Sequence, residues 1–256
     1  MPGGFQAFGS GEGFVGGFGG GGAPPNTFPT IATLTLRLES DLGVTDSSGV
    51  THWLDQVQGI DFVPGVSKPA VVANQVLGQP AVRFNGTTDK LETDALLSAI
   101  LTGSSPATFK VIAVMKNNSV VAHAGTSYDN PAIICTADSY FAGMAADSTR
   151  IDAGFYAGPD AIVSVVQATG ALIYVESTLT VAAGGTLSLR VGTAGTPTTA
   201  TGKGAVGLAT GFLKLGVNYA NAAFWHGDLF ALYVATSMTA QNITDLQTYL
   251  HAKYGV

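Results

Sequence analysis

Gly78-Gln-Pro-Ala-Val-Arg-Phe-Asn-Gly86, followed by Asp89-Lys-Leu91, is the stretch that sets the fold class. Ala81–Phe84 is a short run suited to a strand. Asn85-Gly86 after it supplies a tight hairpin turn that tolerates positive φ. Asp89 stands where a carboxylate can accept backbone N–H bonds inside that turn; its other reading is a metal ligand.

The same texture continues in both directions. Thr33-Leu-Thr-Leu-Arg-Leu38 alternates strictly, the pattern of a half-buried strand. Further strands are expected at Phe109–Met115, Ala132–Cys135, Ala161–Gln167, Ala171–Glu176, Leu187–Val191, Phe212–Val217 and Asp228–Val234. They are rich in Val, Ile, Leu, Phe and Thr, and Gly, Asn, Asp or Pro often lies between them. Many short strands with little helix between them imply a sandwich or barrel. One helix is expected at 239–253, packed on the edge or end of the sandwich. Thr239 caps it, Ile243, Leu246, Tyr249 and Leu250 share a face, and Gly255 stops it. His251 and Lys253 suit the negative end of its dipole. A shorter helix is expected near Asp94–Leu101.

Residues 1–22 hold eleven glycines and four phenylalanines, Phe5, Phe8, Phe14 and Phe18. Glycine at this density loses too much backbone entropy to fold alone. A flexible tail is one reading. An arm that orders on a partner is the other, because a plain linker has no use for four large apolar anchors. The chain thus divides into an arm at 1–30 and one domain at 31–256.

Charged residues make up 11% of the 256, against a usual quarter, and hydrophobic residues 46%. The net charge is −6 with 11 Lys and Arg and no basic cluster, which argues against nucleic-acid binding. Cys135 is the single cysteine, so neither an internal disulfide nor a Cys-based zinc site is available. Residues 161–175 are charge-free but too short to cross a bilayer as a helix. With no basic leader, the sequence reads as a soluble protein without an export address or membrane insertion.

Three stretches together resemble a concanavalin A-like lectin/glucanase jelly roll, of the laminin-G-like kind found in phage and bacterial surface proteins. Leu36–Leu42, Val44-Thr-Asp-Ser-Ser-Gly49 and Thr51-His-Trp-Leu-Asp55 resemble its opening strand, turn and Trp-x-Asp strand. Gly78–Gly86 with Asp89-Lys-Leu91 resembles its hairpin. Gly227-Asp-Leu-Phe-Ala-Leu-Tyr233 and the helix ending Tyr249-Leu-x-x-Lys-Tyr-Gly255 resemble its last strand and closing helix. The likeness spans residues 31–256 and is weakest between 117 and 215. It implies an all-β, two-sheet antiparallel sandwich with one C-terminal helix and a Gly-rich arm. Trp53 is expected as a core anchor rather than a sugar platform.

Catalytic chemistry finds little support. Glycanases of this superfamily resemble one another in a Glu-x-Asp-x-x-Glu strand, whose paired carboxylates retaining hydrolysis needs. The chain has four glutamates, Glu12, Glu39, Glu92 and Glu176. Glu39-Ser-Asp41 meets Val44 and Glu92-Thr-Asp94 meets Leu97 where the second glutamate belongs. His52, His123, His226 and His251 are scattered singly. The glycine-rich matches within 11–22 have no strand before them and no helix after, so they are not a dinucleotide site. No enzyme activity, cofactor or metal is expected.

Sugar binding needs aromatics beside Asp or Asn on loops. Tyr128, Asp129, Asn130, Tyr140 and Tyr156 are the candidates, with Asp152 beside Tyr156 and Trp225 ahead of the last strand. Two readings follow. One is a phage virion structural protein, a capsid decoration or tail component assembled in the host cytoplasm. Phe5, Phe8, Phe14 and Phe18 would anchor it on virion proteins or on copies of itself. The other is a carbohydrate-binding adhesin that recognises surface glycans from a virion or a cell.

Overall fold

A computed structural model describes residues 27–96, 100, 108–120, 131–136, 143–155, 161–167, 169–180, 185–203, 211–218 and 220–256. In chain order the strands are β1 (Leu34–Glu39), β2 (Val44–Asp46), β3 (Val50–Leu54), β4 (Asp61–Pro64), β5 (Ala70–Val76) and β6 (Gln79–Asn85). Next come β7 (Leu91–Leu96), β8 (Thr108–Asn117), β9 (Ala132–Thr136), β10 (Gly143–Ala146), β11 (Arg150–Phe155) and β12 (Ala161–Val166). Then follow β13 (Leu172–Thr180), β14 (Gly185–Val191), β15 (Thr198–Lys203), β16 (Phe212–Leu215), β17 (His226–Ala235) and the helix α1 (Ala240–Tyr254). All strand pairings are antiparallel and form two sheets. One runs β15-β14-β13-β8-β17-β6-β5 with β1 also on β17; the other runs β12-β11-β10-β9-β16-β7-β4-β3-β2. The expected all-β sandwich is therefore present, with each of the nine expected strands inside or overlapping an observed one.

β17 organises the first sheet. One edge pairs with β8 along its whole length. The other pairs first with β6, through His226–Leu229, and then with β1, through Ala231–Ala235. The change of partner falls at a bulge at Phe230, whose freed carbonyl accepts from Ser40 N at 2.9 Å and the Tyr254 hydroxyl at 3.3 Å. Ser40 Oγ donates to Pro80 O at 2.6 Å and clasps the two end-to-end strands together.

Buried side chains form two layers. Leu36, Leu38, Val82, Phe84, Met115, Leu229 and Leu232 face Trp53, Phe62, Leu91, Ile133 and Leu215 across the sheets. Phe230, Tyr233, Ile112, Val114 and Tyr174, on the outer face of the first sheet, meet Leu246, Tyr249, Leu250 and Tyr254 of α1. The helix thus lies on a sheet face, not on the edge or end expected from the sequence. The reason is that β17 is apolar on both sides, so its outer face needs a cover. Thr239 and Asn242 form a reciprocal cap, and Gly255 ends the helix at φ 76°. The expected helix at Asp94–Leu101 is corrected at its start: Asp94–Leu96 complete β7, paired through Leu96 with Phe212 of β16.

Phe28 closes the open end of this outer layer. Its ring stacks on Tyr233 at 5.8 Å and meets Tyr249 edge-on at 5.2 Å, with the Arg37 guanidinium 3.6 Å above it. Phe5, Phe8, Phe14 and Phe18 lie outside the described residues.

Candidate functional site: a neutral cleft at the rim

The carboxylates come first, because they decide whether hydrolysis is available. Glu39 is fully buried under α1. Its Oε1 accepts from Arg37 Nε at 2.7 Å and the Tyr233 hydroxyl at 2.9 Å; its Oε2 accepts from the Tyr249 hydroxyl at 2.8 Å and from Lys253 Nζ. Burial alone would raise its pKa, but the hydrogen bonds from Arg37 and Lys253 outweigh it and hold the carboxyl below the usual range. Glu39 is a saturated anion that neither donates a proton nor meets solvent. Glu92 is held by Lys90 at 2.8 Å and Lys214 at 3.6 Å. Glu176 takes Lys110 at 2.5 Å and Arg190 at 2.9 Å. Cys135 is buried, its thiol donates to Val217 O at 3.1 Å, and burial pushes its pKa up to about 12, which removes it as a nucleophile. Among the described residues no three His, Cys, Asp or Glu side chains gather as a metal site. Asp89 spends its carboxylate on Asn85 N at 3.1 Å and Ser67 Oγ at 2.5 Å, the turn role read from the sequence.

A cleft of about 540 Å³ opens at the rim. One wall is the β6–β7 turn. Asn85 Oδ1 accepts from the backbone N–H groups of Thr87, Thr88 and Asp89 at 2.8, 2.9 and 3.2 Å, and Gly86 turns at φ 77°. Gly86 is also required by space, since a Cβ there would stand 2.7 Å from the His226 Cβ. The opposite wall is the β16–β17 connection. Asn218 Oδ1 accepts from Ala222 N and Ala223 N at 2.8 and 3.1 Å, and Val217 bridges Phe224. Trp225, fully buried, fixes this loop from below: its Nε1 donates to Asn117 Oδ1 at 3.2 Å and its ring lies 5.6 Å from Phe84. The segment after β8 closes the third side through Ser119 and Val120, with Ser119 Oγ donating to His226 O at 3.4 Å.

The cleft therefore presents the half-buried Phe224 ring beside Asn85, Thr87, Ser119 and His226. Among the described residues the Thr87 hydroxyl and the His226 ring have no hydrogen-bond partner, and Asn85 Nδ2 spends one bond on Thr88 Oγ1 at 3.0 Å. An apolar ring beside unspent neutral donors and acceptors is the chemistry that grips a pyranose, by its C–H face and its hydroxyls together.

Solved structures share this architecture. The sandwich is similar to the binding domain of botulinum neurotoxin serotype C1, at 10% identity and a TM-score of 0.58, over 84% of this chain and 51% of that one. It is similar to botulinum neurotoxin type C, whose cell entry is described as dependent on interaction with two ganglioside molecules, at 12% identity and 0.57, over 87% and 52%. A Trypanosoma rangeli sialidase in complex with sialic acid matches at 15% identity and 0.58, over 88% and 34%. The shared fold is a two-sheet antiparallel jelly-roll sandwich. At these identities the likeness is one of fold, and the chain spans about half the length of the toxin domains. No family model matches the sequence, and no curated protein matches it significantly.

Within this jelly roll the sequence candidates divide. Tyr128, Asp129, Asn130, Tyr140 and Tyr156 lie outside the described residues. Pro131, which follows Asn130 directly, lines the cleft. Asp152 is a buried residue of β11 ion-paired with Arg150 at 3.3 Å, so it is no loop contact. Trp53 is fully buried, as expected, and its Nε1 donates to Glu39 O at 3.2 Å. Phe224 and His226 flank the tryptophan that sequence reasoning weighed, and they, not Trp225, face the cleft. Their signal was the sequence Phe224-Trp225-His226 itself. Strand alternation ahead of β17 puts the outer pair on one side and the tryptophan on the other.

Proposed function

We propose that this chain is a non-enzymatic glycan-recognition module carried on a phage particle, with the rim cleft as its sugar site and residues 1–30 as its anchor. The observation that carries the glycan reading is the cleft itself, with Phe224 and His226 beside Asn85, Thr87 and Ser119 in a volume that fits one or two sugar rings. The absence of catalysis is supported by Glu39, locked by four donors, and by the short Glu-x-Asp patterns that lack a second glutamate. The particle reading rests on the glycine-phenylalanine arm and the low charge.

A glycan array probed with the full chain tests the site. Bound sugars should be lost in Phe224→Ala, by at least tenfold, with unchanged unfolding midpoint. Binding unaffected by that variant would remove the cleft from the proposal. Mass spectrometry of purified phage particles tests the location: the full chain is expected in them and a chain lacking residues 1–26 is not. Equal incorporation of both would refute the anchor, and glycan binding by a chain found on cells instead would favour the adhesin reading.

A further inference from the structure

We propose that the rim cleft selects uncharged glycans and rejects those ending in sialic acid or a uronic acid; this rests on the glycan reading above. Among the described residues the cleft is lined by no Lys, Arg, Asp or Glu. Its polar groups are the amide of Asn85, the hydroxyls of Thr87 and Ser119, and the His226 ring. Val120, Ala222 and Ala223 join Phe224 as its apolar part. A sugar carboxylate placed there loses water and gains no permanent cation, and an unpaired buried charge is far costlier than an unpaired hydroxyl.

Among the described residues, most cations elsewhere are already paired. Arg37 is held by Glu39, Arg83 by Asp228, Lys110 and Arg190 by Glu176, Arg150 by Asp147 and Asp152, and Lys253 by Glu39 and Asp41. The two lysines that touch the β16–β17 connection, Lys90 and Lys214, reach Asn221 Oδ1 at 3.2 and 3.1 Å and are both tied to Glu92. Lys68 and Lys116 do not line the cleft. Residues 121–130, between the cleft residues Val120 and Pro131, contain no Lys or Arg and one Asp.

The test uses the full chain on matched glycan pairs at pH 8, each neutral oligosaccharide beside its sialylated or uronate-capped form. Wild type is expected to bind neutral members and to bind their charged partners at least tenfold more weakly. Thr87→Arg, at an exposed position whose backbone alone serves the turn, is expected to raise binding of the sialylated partners tenfold or more. Wild-type binding of a charged member as tight as its neutral partner, abolished by Phe224→Ala, would overturn the selectivity and leave the glycan site standing. Binding of no member at all would overturn both.

Discussion

Glu39 ties three elements together at one point: Arg37 of β1, Tyr233 of β17, and Tyr249 and Lys253 of α1 all donate to its two oxygens. Removing the charge leaves Arg37 without its carboxylate and Lys253 with Asp41 alone, and breaking a buried pair costs about 3–5 kcal/mol in comparable cases. Glu39→Gln should therefore be less stable by roughly 3 kcal/mol at pH 7. The pH dependence follows from the depressed carboxyl. Above its ordinary value of 4.5 the charge is present in folded and unfolded chains, and the network contributes in full. As pH falls below that value the unfolded chain takes up a proton that the folded chain resists, so the contribution is lost and the gap to Glu39→Gln closes. Urea unfolding of both proteins from pH 7 to pH 3 measures this; a gap constant over the range would show that Glu39 is not charged in the fold.

At the scale of elements, α1 acts as the second cover of the first sheet, and its two sides should behave differently. Leu250 is fully buried against that sheet while Thr248, two residues away, is exposed. Leu250→Ala should cost about 2–5 kcal/mol and Thr248→Ala less than about 0.5 kcal/mol. Equal, small losses in chemical denaturation would mean that the helix does not pack as described. The sequence made the helix, its Thr239 cap and its Gly255 stop legible because they are local. Its position on a face was not read, although Leu229-Phe-Ala-Leu-Tyr-Val234 carried the signal: no polar residue interrupts the run. The strands that escaped reading have physical reasons too. β5 is largely exposed and carries Asn74 at φ 54°, β10 is only four residues, three of them Gly or Ala, and β15 is a polar edge of Thr198-Thr-Ala-Thr-Gly-Lys203. Each pairs with a strand next to it in sequence, but none carries the alternating apolar pattern that would announce it. The cleft was half legible: Asn85-Gly86 announced the turn, and only the sheet register sets it opposite His226.

At the scale of the whole molecule, the first strand and the last are neighbours at the centre of one sheet. Thr35 and Val234, bonded at 3.1 Å, are 199 positions apart. No local turn brings them together, so closing that pair must pay loop entropy over most of the chain before any contact repays it. Refolding should be slow for a protein of this size, and pulsed hydrogen exchange should find the amides of Leu36–Glu39 and Ala231–Ala235 becoming protected together and last. Early protection of either segment alone would contradict this. During synthesis the same arrangement imposes a wait. Leu34–Glu39 leaves the ribosome long before its partner exists, an apolar edge with nothing to pair with. A message truncated anywhere before Ala235 then yields a chain whose central strand is missing or cut short, open to proteases and holdases, so the seam at β17 serves as the molecule's own check that translation reached that far.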